Sequence, residues 1–245
     1  RPDEVLALTF SRKAAEQLRA RVTARIGRTT AASLGSTFHS FAYGLVRQHS
    51  APELYDAPLR LLSAPEQDVV LQQILTTAPE SVVWPESVRG ALGTRGFATE
   101  VAQVLARAQE KGLGFEALRR LGETEGLPEL VAAAAFMEQY DIVTADQNFL
   151  DYPGLIATAV RMLQDPELPV RDLLRAQFRH VFVDEYQDTD PAQVAMLQAI
   201  AGDGRDLVVV GDPHQSIYAF RGAEVRGILE FPERFRRADG SPAET

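Results

Sequence analysis

Short apolar runs alternate with amphipathic segments in residues 1–50 and 151–245. Runs of four or five mainly apolar residues predict β-strands at 5–9, 180–183 and 207–210, and a further short strand is expected at 34–37. Apolar positions at helical spacing predict α-helices at 12–26, 38–48, 152–164 and 192–200. Two successive strands that are joined through a helix lie parallel to each other in the sheet, and the crossover between them is right-handed. The sequence therefore predicts an α/β fold with a parallel sheet core.

The pattern changes between residues 51 and 150. Proline and glycine interrupt this stretch repeatedly, and the runs between them have helical rather than alternating spacing. We expect an all-helical insertion with Trp84 as an anchor of its core. The predicted organisation is a first part of the α/β domain at 1–50, the helical insertion at 51–150, and the second part of the α/β domain at 151–245.

Composition and charge restrict the class of protein. The 245 residues are 45% hydrophobic and contain no cysteine, which excludes disulfides and cysteine nucleophiles. No apolar run approaches the roughly 18 residues of a membrane span, and we expect a cytoplasmic location. The formal net charge is −9, but residues 1–50 hold eight basic and three acidic side chains. This local positive charge favours contact with nucleic-acid phosphates, although each arginine there also fits the solvated face of a helix.

Two carboxylates, Asp184 and Glu185, follow directly after the apolar run at 180–183. Adjacent acids at a strand exit often form a turn or cap the next helix, but Asp190 and Pro191 already supply those signals here. In P-loop NTPases a carboxylate at such a position helps to hold the magnesium ion, while a neighbouring group orients the attacking water. We therefore assign Asp184 to magnesium binding and Glu185 to the role of catalytic base.

A second polar cluster follows the run at 207–210. Ligand sites of open α/β sheets lie at the carboxyl ends of the strands, so we expect both clusters at one edge of the sheet. The amide of Gln215 both donates and accepts, which suits contact with a terminal phosphate and the attacking water. Tyr218, Phe220 and Arg221 place aromatic faces beside a cation, which suits unpaired bases. Each of these aromatic residues, taken singly, also fits a core position.

These clusters resemble known motifs. The segments VDEYQDTDPAQ and GDPHQSIYAFRGA are similar to motifs II and III of the UvrD/Rep-type superfamily 1 DNA helicases. Upstream, residues 7–15 (ALTFSRKAA) resemble motif Ia, and residues 35–41 (GSTFHSF) resemble the Thr-Phe-His-Ser motif that follows it. The Ala-Phe-Arg-Gly-Ala ending resembles the RecB-like branch. Four motifs in the family's order identify the chain as a member of this family.

The resemblance implies a partial RecA-like motor domain of the P-loop NTPase class that uses ATP and Mg²⁺. Asp184 matches the acid that coordinates magnesium, Glu185 the catalytic glutamate, and Gln215 the glutamine that senses the γ-phosphate during catalysis. Arg221 matches an arginine that couples the nucleotide state to DNA contact, so it joins Asp184 and Gln215 as a nucleotide-binding candidate. The helical insertion is similar in position to the accessory subdomain of these helicases.

The resemblance also implies a path for single-stranded DNA. The candidates for this path are Phe10, Arg12, Thr37, His39, Tyr218 and Phe220. Phe220 stands where many relatives have a base-stacking tryptophan, and Arg12 adds a charge that the common Thr-Asn of motif Ia lacks. The implied activity is that of an ATP-dependent helicase or translocase moving 3′ to 5′ in DNA repair or recombination. Its partners would be single-stranded DNA and the remaining helicase domains of a longer chain.

Two features depart from the family. The sequence contains no G-x-x-x-x-G-K-[ST] phosphate loop. We therefore expect the chain to be a segment of a longer ATPase, and we expect this segment to be nearly inactive by itself. The alternative is a non-catalytic DNA- or partner-binding module with a vestigial nucleotide site, against which the retained Asp184, Glu185 and Gln215 argue. Residues 151–155 resemble the family's Asp-Phe-x-Asp-Leu element, but Gly154 replaces its second acid.

Overall fold

The computed structural model describes residues 1–27, 35–49, 59–77, 81–216 and 226–244. The chain divides into two compact units, one formed by Arg1–His49 with Ile156–Thr245 and the other by Ser50–Leu155. Among the described residues, no helix combines the length and apolar character needed to cross a membrane. Tyr218, Phe220 and Arg221, three of the predicted site residues, lie outside the described part of the chain.

The described elements follow in chain order. They are β1 (Val5–Thr9), α1 (Arg12–Ile26), β2 (Ser36–Thr37), α2 (Phe38–His49), β3 (Arg60–Leu61), α3 (Ala64–Thr77), α4 (Glu86–Arg89), α5 (Arg95–Glu110), α6 (Phe115–Glu125), α7 (Pro128–Asp146), β4 (Phe149–Leu150), α8 (Tyr152–Gln164), α9 (Val170–Gln177), β5 (His180–Val183), α10 (Pro191–Ala201), β6 (Asp206–Val209), α11 (Arg226–Leu229) and α12 (Phe231–Arg234).

The first unit is built on a four-stranded sheet in the order β2-β1-β5-β6, in which every pair is parallel. Strand β5 is central in this order, and its residue Val183 lies beside Leu8 of β1 and Val209 of β6. Leu8, Val181 and Val183 are at most 1% exposed, whereas Phe182 of β5 and its register partner Val208 of β6 are 43% and 42% exposed, so β5 is buried on one face only. The predicted α/β fold with a parallel sheet is confirmed.

Local capping explains where two helices of this unit begin. The Ser11 hydroxyl accepts a hydrogen bond from the Ala14 backbone N–H at 3.1 Å and starts α1. The Asp190 carboxylate accepts from the Gln193 backbone N–H at 2.8 Å and starts α10, with Pro191 in the first turn. The cap predicted at Asp190 is therefore confirmed, and it leaves Asp184 and Glu185 without a capping role for α10.

The second unit is a helical assembly around one apolar core. Trp84 is 7% exposed, and its ring lies 5.0 Å from that of Phe97 and 6.0 Å from that of Phe136. Leu71 of α3 and Leu105 of α5 belong to the same cluster. The sequence predicted an all-helical insertion. The structure differs from this prediction in one feature, since β3 and β4 form a two-stranded parallel pair near the ends of the insertion.

A buried carboxylate, Asp151, lies in the second unit at the start of α8. It is 4% exposed and accepts three hydrogen bonds, from the Tyr140 hydroxyl (3.0 Å), the Gln67 amide (2.8 Å) and the Gly154 backbone N–H (2.7 Å). Burial raises its pKa above the ordinary value of 3.8, although these donors oppose the shift. A Cβ at residue 154 would lie 2.5 Å from Asp151 Oδ1. Glycine at this position therefore leaves room for the carboxylate.

Truncation of Trp84 tests the helical core. Trp84→Ala should lower the free energy of unfolding by about 3–5 kcal/mol, because it leaves a cavity between aromatic rings. The matched control is Val83→Ala, since Val83 is 72% exposed and its truncation should change stability by less than about 0.5 kcal/mol. Urea unfolding followed by circular dichroism measures both, and equal losses would refute the assignment of Trp84 as a core anchor.

Replacement of Asp151 tests its buried charge. Burial raises the pKa of Asp151 in the folded state. The protonated carboxyl group therefore contributes its full stabilisation below the pKa of the unfolded state, and this stabilisation is lost as the pH rises through the pKa of the folded state. The stability of the wild type relative to Asp151→Asn should therefore fall as the pH rises above about 4. Unfolding free energies measured between pH 4 and 8 check this, with exposed Asp146→Asn as the charge control. A pH-independent difference would contradict the prediction.

Candidate functional site

The carboxyl ends of β1, β5 and β6 meet at one edge of the sheet. Hydrogen bonding continues past the strand ends, because the Asp184 N–H donates to Leu8 O at 2.9 Å and the Val210 N–H to Val183 O at 2.8 Å. The Tyr186 N–H then donates to Val210 O at 3.0 Å. The polar residues after β5 and after β6 are therefore held at the same edge, as the sequence predicted.

The two acids after β5 are both exposed. Asp184 Oδ1 accepts a hydrogen bond from the Glu185 N–H at 3.1 Å, and no described residue donates to its other oxygen. Glu185 has a left-handed backbone, with φ 55° and ψ 41°, a conformation that is uncommon for residues other than glycine and that turns the chain sharply. Asp184 thus presents a hard oxygen ligand to solvent at the edge of the sheet, which is the donor type that Mg²⁺ prefers.

Gln187 connects Glu185 to the segment after β6. Its side chain is completely buried. The amide Nε2 donates to Glu185 Oε2 at 2.5 Å, and Oε1 accepts from the Asp212 backbone N–H at 3.1 Å. A Cβ at Gly211 would collide with Gln187 Oε1 and with Ile228. Glycine at 211 therefore lets the two segments approach closely without displacing the Gln187 amide.

Asp212 organises the turn that carries Gln215. Its Oδ1 accepts from the His214 backbone N–H at 2.9 Å, and its Oδ2 accepts from Gln215 Nε2 at 2.8 Å. These hydrogen bonds, the one from Gln215 foremost, hold the pKa of Asp212 below its ordinary value of 3.8. Gln215 itself is exposed. A continuous series of hydrogen bonds thus runs from Glu185 through Gln187 and Asp212 to Gln215.

The DNA candidates within the described residues lie at the other half of the same edge. Thr9 at the end of β1 is paired with Thr37 at the end of β2, so Phe10 and His39, which follow these strands, lie at the carboxyl ends of neighbouring strands. The Thr37 hydroxyl accepts from the Ser40 N–H at 3.1 Å and caps the first turn of α2. Its side chain is 8% exposed, so any contact that it makes with a ligand is limited to a small surface.

Arg12 is an exposed residue in the first turn of α1, directly after the segment that leaves β1. Its guanidinium supplies the positive charge predicted beside Phe10. The sheet order β2-β1-β5-β6 therefore separates the candidates along one edge, with the DNA candidates after β2 and β1 and the nucleotide candidates after β5 and β6.

No group of three or more His, Asp or Glu side chains capable of holding a metal ion by themselves occurs among the described residues. A magnesium ion at Asp184 would therefore take its other ligands from phosphate oxygens and water. Such a ligand set is typical of magnesium in nucleotide sites, where one or two carboxylates suffice. The donor chemistry of Asp184 fits the ion.

Sequence reasoning missed two residues of this arrangement, Gln187 and Asp212. Both belong to the motifs on which the site was predicted, but their contacts join segments 25 residues apart, which no local pattern encodes. The one signal available was Gly211 directly after an apolar run, because glycine at a strand end often marks a close backbone approach.

The four-stranded parallel sheet with helices between its strands is the architecture of a RecA-like motor domain, and the predicted nucleotide residues lie after the carboxyl ends of its adjacent strands. The chain belongs to the UvrD/REP helicase N-terminal domain family, whose model matches residues 1–236.

Individual relatives agree with this family. The chain is 33% identical over 247 residues to the ATP-dependent DNA helicase UvrD1 of Mycobacterium bovis, covering 93% of this chain and 29% of the relative. It is 27% identical over 240 residues to the ATP-dependent DNA helicase PcrA of Staphylococcus epidermidis, covering 97% of this chain and 30% of the relative. The chain thus spans less than a third of the length of these helicases.

Proposed function

We propose that this chain is part of an ATP-dependent DNA helicase that translocates along single-stranded DNA. The observation that carries the proposal is the grouping of Asp184, Glu185 and Gln215 at the ends of adjacent strands, linked through buried Gln187. A vestigial site has no need for this linkage. By family resemblance, movement is 3′ to 5′ and the role lies in DNA repair or recombination.

The proposed chemistry assigns one task to each side chain. Asp184 would hold a magnesium ion, which would supply positive charge to offset that of the nucleotide phosphates. The carboxylate of Glu185 takes the proton of the attacking water, since no described residue donates to its Oε1. The amide of Gln215 donates to the terminal phosphate, exchanging its present hydrogen bond with Asp212. Arg221 assists in nucleotide binding.

DNA binding is proposed for the half of the edge next to β1 and β2. There Phe10 and His39 contact the strand, Thr37 supports the turn between them, and Arg12 attracts phosphates. Tyr218 and Phe220 stack on bases. The helical unit acts as an accessory insertion, and the partners are single-stranded DNA and the other domains of a longer cytoplasmic protein. The segment alone, without a phosphate loop, is nearly inactive.

Replacement of the proposed base tests the enzyme assignment. In the full-length protein that carries this segment, Glu185→Gln should lower kcat for DNA-stimulated ATP hydrolysis by about 10²- to 10⁴-fold while ATP binding is retained. Glu125→Gln, at the exposed end of α6, is the matched control and should leave kcat unchanged. Turnover of Glu185→Gln at the control rate would refute the assigned base, and no turnover in the wild type would favour the non-catalytic alternative.

Replacement of Phe220 tests base stacking. Phe220→Ala should weaken binding of single-stranded DNA by about 1–3 kcal/mol, because the stacking face is lost. Phe220→Trp keeps an aromatic face and should bind at least as tightly as the wild type. Fluorescence anisotropy with a labelled oligonucleotide measures both affinities. If the alanine variant binds as tightly as the wild type, the stacking role is refuted and the alternative that Phe220 is a core residue is favoured.

A further inference from the structure

The contacts of Gln187 restrict this position to one type of side chain. On one side it faces the backbone N–H of Asp212, which can only donate, and on the other the carboxylate of Glu185, which as an anion can only accept. A side chain placed between them needs an acceptor and a donor separated by one carbon atom. The terminal amide of glutamine has both, whereas glutamate or methionine at this position would leave at least one partner unsatisfied.

The Glu185 side chain needs a hydrogen bond such as the one from Gln187 to adopt a single orientation. Among the non-glycine residues that the structure describes, only Asn148 and Glu185 have positive φ. The Glu185 side chain is exposed, and long exposed side chains have several rotamers of similar energy. The hydrogen bond from Gln187 to Oε2 selects one of them, and a charge-assisted bond of this kind is about twice as strong as a neutral one.

A second contact joins the same two segments. The Ser216 hydroxyl donates to Asp188 Oδ1 at 3.2 Å, so consecutive residues of the 3₁₀ turn Tyr186–Asp188 each contact the segment after β6. Both Gln187 and Asp188 are buried, and their bonds to Asp212 and Ser216 are partly buried, which limits competition with water. The turn that carries Gln215 is thereby held in a fixed position relative to Glu185.

We propose that Gln187 is a positioning residue for ATP hydrolysis: it holds the Glu185 carboxylate in the orientation needed to take a proton from water, and it ties that orientation to the turn that carries Gln215. This inference rests on the proposed function, because it presumes that Glu185 is the base. Gln187 acts through Glu185 and does not itself touch the nucleotide. Displacement of a catalytic group by a fraction of an ångström to 1 Å is enough to slow a reaction strongly.

The test compares two buried glutamines six positions apart in the full-length protein. Gln187→Met removes both hydrogen bonds while keeping the volume of the side chain, and it should lower kcat for ATP hydrolysis by about 10- to 100-fold with little change in the KM for ATP. Gln193→Met is the control, since Gln193 is also buried but makes no hydrogen bond to Glu185 or Asp212 among the described residues. Its kcat should equal that of the wild type.

A double variant separates positioning from a general loss of structure. If Gln187 acts through Glu185, adding Gln187→Met to Glu185→Gln should lower kcat no further. Equal kcat values for Gln187→Met and Gln193→Met would overturn the inference, and so would a further loss in the double variant. If Glu185→Gln alone leaves turnover unchanged, the assignment of Glu185 as the base fails and the inference fails with it, whereas absence of turnover in the wild type would count against the proposed function itself.

A glycine variant covers the case in which Gln187→Met does not fold. Gly211→Ala adds a methyl group that collides with Gln187 Oε1 and should displace the amide, giving the same fall in kcat at unchanged KM. Gly96→Ala is its control, because a Cβ at Gly96 meets nothing within 4 Å. A Gly211→Ala variant with the kcat of the control would overturn the inference.

Discussion

Strand β5 is hydrogen-bonded on both sides, to β1 and to β6, and this parallel pairing determines which residues reach the edge of the sheet. Because all three strands run in the same direction, their carboxyl ends coincide, and a shift of one residue in register would turn Asp184 to the other face. The bonds from Asp184 N–H to Leu8 O and from Val210 N–H to Val183 O continue the pairing beyond the strands. The candidate nucleotide and DNA residues depend on this constraint for their common location.

The buried amide of Gln187 then fixes a side-chain orientation that strand pairing alone leaves open. The strands bring the segments after β5 and β6 together, but the rotamer of an exposed acid is not fixed by a sheet. Gln187 supplies the missing contact, and its fully buried position makes each lost hydrogen bond expensive, on the order of 1–3 kcal/mol for the group left unsatisfied. Gly211 permits the approach of the two segments, because any larger residue would collide with the amide.

Local patterns predicted much of the fold. The apolar runs located β1 and β5, helical spacing located α1 and α8, and Asp190 with Pro191 located the start of α10. The two-residue strands β3 and β4 had no detectable pattern, because two positions cannot establish an alternation. Helix α9, also missed, spans only eight residues.

The site was predicted less completely than the fold, for a physical reason. Asp184, Glu185 and Gln215 stand out because polar residues follow apolar strands and match known motifs. The contacts of Gln187 with Asp212 and of Asp151 with Tyr140 and Gln67 join residues that are distant in sequence. They arise only from the folded backbone, so no local spacing could reveal them.

A structure of the full-length protein with Mg²⁺, a non-hydrolysable ATP analogue and single-stranded DNA tests the account most directly. The account predicts a metal ion bound by the Asp184 carboxylate, the terminal phosphate within hydrogen-bond distance of the Gln215 amide, and Glu185 still held by Gln187 beside it. The DNA strand should pass the ends of β1 and β2. A nucleotide bound away from the carboxyl ends of β5 and β6 would contradict the account.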